Sequence, residues 1–76
     1  MVKLVIGEYY STTNVWRDIP YPNGFTNDNS VVIIQSIGNL ATGNITFKIN
    51  IAKTQYCAIS IENYKNHNPY FIFIKK

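Results

Sequence analysis

Charge is scarce in this chain: Asp, Glu, Lys and Arg supply 14% of its 76 residues, where an ordinary soluble domain carries about a quarter. So little charge cannot cover the outside of a small body, and a sequence that is 46% apolar must expose an apolar patch or hide it under another chain. Cysteine and histidine occur once each, as Cys57 and His67, so neither an intrachain disulfide nor a structural metal can staple the fold. The strong helix formers Ala, Leu, Glu and Gln are thin, so no helix is expected. No apolar run approaches the roughly 20 residues of a membrane helix, and residues 1–6 are too short for a signal peptide. The expectation is a chain produced in a bacterial cytoplasm, with no membrane partner.

Length allows one domain, residues 1–76, and a domain this short buries only about 60% of the surface its unfolded chain exposes. With disulfides and metals gone, subunit association is the remaining supplement, and a homo-oligomer is expected. The formal charge of +3 is spread along the chain rather than gathered on one stripe, which argues against a nucleic-acid partner.

β-Branched residues dominate, and turn chemistry recurs at the spacing of small all-β folds. The clearest strand is Ile45-Thr46-Phe47-Lys48-Ile49-Asn50-Ile51, apolar at odd positions and polar at even ones, the period of a sheet with one wet face. Five more strands are expected over 2–10, 15–21, 30–37, 55–61 and 70–74, giving a small antiparallel β-sandwich of about six strands. Pro20 and Pro22 end the second strand because they cannot donate to a ladder, and Asn23-Gly24 supplies positive φ for a tight turn. Asp28 is expected to form an Asx-type turn ahead of the third strand.

Residues 31–34 and 70–74 lack the polar face an antiparallel strand normally keeps. One face of each is assigned to the core and part of the other to neighbouring subunits, with Trp16, Val32, Ile34, Phe71 and Phe73 as interface candidates. The alternative is a tightly closed monomeric barrel with both strands central.

No catalytic constellation is legible. Glu8, Asp18, Asp28 and Glu62 are dispersed, so no glycosidase-type carboxylate pair is indicated. Cys57, placed beside Ile59 and Ile61 on an apolar strand face, is a buried small hydrophobe with no partner to activate it. The four glycines are scattered and make no phosphate loop. Neither cofactor nor metal is expected, although three copies of His67 around a threefold axis could converge. Tyr and Asn outside the strand cores suit sugar rings and hydroxyls. Asn63, Tyr64, Asn66, His67 and Asn68 form the first candidate recognition loop, with Tyr21 and Asn23 in the second; the same residues also serve as plain turn formers.

The stretch Asn14-Val15-Trp16-Arg17-Asp18-Ile19-Pro20-Tyr21-Pro22-Asn23-Gly24-Phe25-Thr26-Asn27-Asp28-Asn29-Ser30-Val31-Val32-Ile33 resembles the C-terminal head domains of tail, baseplate and tail-fibre proteins from phages and prophages of clostridia-like bacteria. The resemblance rests on a tryptophan, a Tyr-Pro-x-Gly-Phe turn and an Asp-Asn pair opening a long apolar strand. It implies an antiparallel sandwich distantly similar to H-type lectins, usually trimeric, displayed on a virion and binding a host cell-surface polysaccharide. On this footing the expected function is non-enzymatic: a trimeric tail-associated binding module. The alternatives are a structural trimerisation or decoration domain without a receptor, and a small nucleic-acid-binding barrel of OB type.

Overall fold

A computed structural model describes residues 1–7, 14–38, 45–61 and 67–76, and within these the side chains of all but 36–38, 45, 60, 61 and 67. The protein is all-β. Its strands are β1 (Val2–Ile6), β2 (Arg17–Asp18), β3 (Ser30–Gly38), β4 (Ile45–Ile49), β5 (Gln55–Ile61) and β6 (His67–Lys75), with no helix among the described residues. They form two antiparallel three-stranded sheets, β1-β6-β3 and β2-β5-β4.

One core joins the two layers. Phe71 and Phe73 of β6 are fully buried and cluster with Ile19, Phe25, Tyr56 and Ala58, flanked by Val5, Tyr21, Val32, Ile34, Phe47 and Ile49. Tyr56 packs edge to face on Phe71 at 5.0 Å and Tyr21 lies tilted on Phe73 at 5.1 Å between centroids, and aromatic pairs of this kind add stability beyond the area they bury.

Turn residues act where the backbone demands them. Phe25 N–H donates to Pro22 C=O at 3.0 Å, and Gly24 has φ 85°, the third-position glycine of a type II turn. Asn23 does not share the positive φ. Asn29, rather than the expected Asp28, ties the approach to β3: its Oδ1 accepts from Thr26 N–H at 2.8 Å and its amide donates to Gly24 C=O at 3.1 Å. Asn50 organises the β4–β5 turn, its Oδ1 accepting from the N–H groups of Thr54 and Gln55.

Several boundaries differ from the sequence expectation. The second strand shrinks to two residues because Pro20 ends the ladder. β4 stops at Ile49, and Ile51, the last member of the alternating pattern, is fully exposed in the turn. In β5 a register slip opposite Thr46 and Phe47 skips Ile59, and Cys57 is buried while Ile59 is exposed, so these two do not share one continuous buried face; the Ile61 side chain lies outside those described. β6 begins at His67, within the segment expected to be a recognition loop.

β6 is also the central strand of its sheet, yet it contains Pro69. Gly7 N–H donates to Pro69 C=O at 2.7 Å, but proline has no N–H to return to the Gly7 carbonyl. The Asn68 side-chain amide fills that place, donating to Gly7 C=O at 2.9 Å. A side chain thus substitutes for the missing main-chain donor, and the ladder survives the proline.

Candidate functional site

Residues directly opposed in an antiparallel ladder share a sheet face. In β1-β6-β3 the outward rows that cross all three strands are Val2–Ile74–Val31, Leu4–Ile72–Ile33 and Ile6–Tyr70–Gln35, with Asn68 next in register on β6. Every member of these rows except Gln35 is apolar or aromatic, and none carries charge. Six of these side chains are well exposed, from 37% at Ile74 to 65% at Val2, with Leu4, Ile6, Val31 and Ile33 between, while Ile72 and Tyr70 in the middle strand are half-buried. Together they make a contiguous apolar surface of the kind that, at a few hundred Å², forms the largest patch of a typical monomer and is often functional.

The intervening rows, Lys3–Phe73–Val32 and Val5–Phe71–Ile34, look inward. Four of the expected interface residues, Val32, Ile34, Phe71 and Phe73, are therefore in or against the core, and Phe71 and Phe73 have no surface to offer a partner. The apolar surplus of these strands is divided between two faces, but the outward share falls to the alternate residues Val31, Ile33, Ile72 and Ile74. β1 supplies a third of the face, and the pairing of a strand near the N-terminus with β6 is a long-range fact no local pattern announces.

The remaining candidates are dispersed. Trp16 is 42% exposed beside β2, with the Lys48 ammonium 5.3 Å from its ring centre. Lys48 is also the ladder partner of Cys57, whose thiol is buried. Tyr21 donates its hydroxyl to Lys53 C=O at 2.7 Å, and burial raises its pKa above the ordinary 10.0. Asn68 is engaged at Gly7, and Asn23 lies exposed in its turn. Asn63, Tyr64 and Asn66 fall outside the described residues, and His67 enters only as backbone at the start of β6.

A cleft of about 290 Å³ opens between the sheets on the β1 and β2 side, lined by Gly7, Arg17, Asp18, Pro20, Tyr56 and Phe71. Asp18 Oδ1 accepts from the Gln55 side-chain amide at 3.1 Å. The lining holds one carboxylate and no nucleophile or histidine, and no group of three metal-binding side chains occurs among the described residues. The sheet face is by far the larger feature. No family model matches the chain, and neither curated proteins nor solved structures yield a match.

Proposed function

We propose that this protein is a non-enzymatic binding and assembly module that self-associates through the outer face of β1-β6-β3. The supporting observation is the uncharged, contiguous face built on Val2, Leu4, Ile6, Val31, Ile33, Ile72 and Ile74. A specific interface buries upward of about 1,200 Å² in total, a demand best met by two broad apolar faces brought together. The tail-associated, glycan-binding setting follows from the resemblance of residues 14–33 alone, as does the trimeric count. Tyr21 and Asn68, two of the sugar-binding candidates, spend their polar groups inside the chain. That favours assembly over glycan recognition as the primary role, in line with a structural virion component.

Light scattering at micromolar concentration tests the reading. The wild type is expected above monomer mass, and Ile72→Lys, which sets a charge at the centre of the face, is expected to lower that mass while the β-sheet circular dichroism persists. A wild type that stays monomeric overturns it. A glycan array run with wild type and Tyr64→Ala addresses the receptor role, which requires binding that the substitution weakens.

A further inference from the structure

The four sheet edges are not protected alike. β1 carries Lys3 on its core-facing side, opposite Phe73. β2 is two residues long and closely followed by Pro20 and Pro22. β4 carries Lys48 and lies beside the register slip at Thr46 and Phe47. Short strands, inward charges, prolines and bulges all discourage a further strand from adding. β3 itself has none of these: its nine residues contain no charge and no proline, its register along β6 is unbroken, and the lysine that reaches its edge, Lys53, meets it only at its first residue, Ser30.

The free backbone groups can be assigned. Lys76 N–H donates to Asn29 C=O at 2.8 Å, so these two form a hydrogen-bonded pair. The alternation of an antiparallel ladder then turns Val31, Ile33 and Gln35 toward β6, and Ser30, Val32 and Ile34 outward. Ser30 bears this parity out, because its carbonyl accepts the Lys53 ammonium at 3.0 Å from outside the sheet. Among the described residues no hydrogen bond reaches the outward peptide groups of Val32 or Ile34.

We infer that a second copy of this chain adds at this edge, β3 against β3 in antiparallel sense, about a two-fold axis at Ile33. Val32 and Ile34 stand symmetrically about Ile33, so the outward N–H and C=O of each meet those of the other in the partner copy. Charge selects the sense. Antiparallel pairing sends the lysines near the start of β3, Lys53 at Ser30 and Lys75 opposite it, to opposite ends, whereas parallel pairing would bring them together in a chain of net charge +3. Val31 and Ile33 belong both to this edge and to the apolar face, so a two-fold normal to the sheet joins the two faces side by side. The edge contact stands without the face reading; only the stacking of such dimers into larger even-numbered assemblies rests on it.

The test uses the full chain made by chemical ligation, with and without N-methylation of Ile34, which removes one outward donor and leaves the side chain intact. Native mass spectrometry of the wild type is expected to show a dimer or an even multiple, and the methylated chain is expected to associate at least tenfold more weakly with unchanged circular dichroism. Hydrogen exchange at Val32 and Ile34 should be slow in the associated form and at least tenfold faster on dilution. A trimer, an N-methylated chain of wild-type mass, or fast exchange at both amides in the assembled protein overturns the inference. Leu4→Lys, on the far strand of the face, separates the two readings. If it alone dissolves every assembly, the face holds the copies together and the edge does not. If it reduces larger species to dimers, the edge contact is supported and the face reading stands beside it.

Discussion

The two sheets share one core and differ on their backs. Behind β2-β5-β4, Asp18, Gln55, Thr46 and Lys48 share the outer face with Trp16 and the covered Cys57, a mixture that water can wet. Behind β1-β6-β3, among the described residues, lie Val2, Leu4, Ile6, Val31, Ile33, Tyr70, Ile72 and Ile74, with Gln35 and Asn68 as the uncharged polar members of the same register. Among the described residues the shortage of charge is thus concentrated on one side. Apolar patches of that kind recur at contact sites of proteins, which is the ground on which self-association through this face is proposed.

The sharpest way to break this contrast is to shave neighbouring residues on β6. Phe71→Ala empties the centre of the core and should cost about 3–5 kcal/mol. Ile72→Ala, one residue on but facing outward, should cost less than about 1 kcal/mol in the isolated chain. Urea midpoints at one fixed, low protein concentration compare the two without a change in association. Equal losses would show that the outward face is covered within a single chain, and the division between the sheets would fail.

A smaller effect examines how the apolar sheet tolerates a proline in its central strand. A Cβ on Gly7 would lie 2.8 Å from Phe71 Cε1 and 2.9 Å from Pro69 Cγ, so Gly7→Ala should destabilise by about 1–3 kcal/mol through overpacking. Asn68→Ala should cost about 1–3 kcal/mol for a different reason, by leaving the Gly7 carbonyl without its donor. Asn68→Asp should be no better, since an ionised carboxylate cannot donate. Chemical unfolding of all three checks this. If Asn68→Ala is neutral while Gly7→Ala is not, the amide bond is dispensable and steric fit alone maintains the β1–β6 junction.

Much of the architecture was legible and the parity of its key strands was not, for one physical reason. β4 declares its register, because Thr46 and Lys48 can face only water while Phe47 and Ile49 seek the core. Residues 31–34 and 70–74 are apolar at every position, so a shift of one residue leaves the pattern unchanged; that is how Val32, Ile34, Phe71 and Phe73 came to be expected at an interface. Aromatic content could have tipped the choice, since Phe71 and Phe73 fill more core volume than Ile72 and Ile74. The role of Asn68 had a signal too, in its position beside a proline in an otherwise strong strand. The β1–β6 pairing had none, because it joins opposite ends of the chain. The proposed β3 edge emerges only when all four edges are compared, which requires the topology.

The smallest predicted effect concerns Tyr21, which ties the two layers together by both a ring contact and a hydrogen bond. Tyr21 lays its ring on Phe73 of the apolar sheet and donates its hydroxyl to Lys53 in the β4–β5 turn of the other. Tyr21→Phe keeps the ring contact, loses the bond, and should cost about 1 kcal/mol at neutral pH. Burial favours the neutral phenol, so the folded pKa lies above the ordinary 10.0 and the folded state holds this proton more tightly than the unfolded chain does. The contribution of Tyr21 is therefore complete below the unfolded pKa and is lost as pH rises from there through the raised folded value. Urea midpoints taken near pH 7 and near pH 11 should show the gap between wild type and Tyr21→Phe narrowing at the alkaline end. A gap that stays constant would mean that the hydroxyl is solvated rather than held at Lys53, and that the two sheets are joined at this point by ring packing alone.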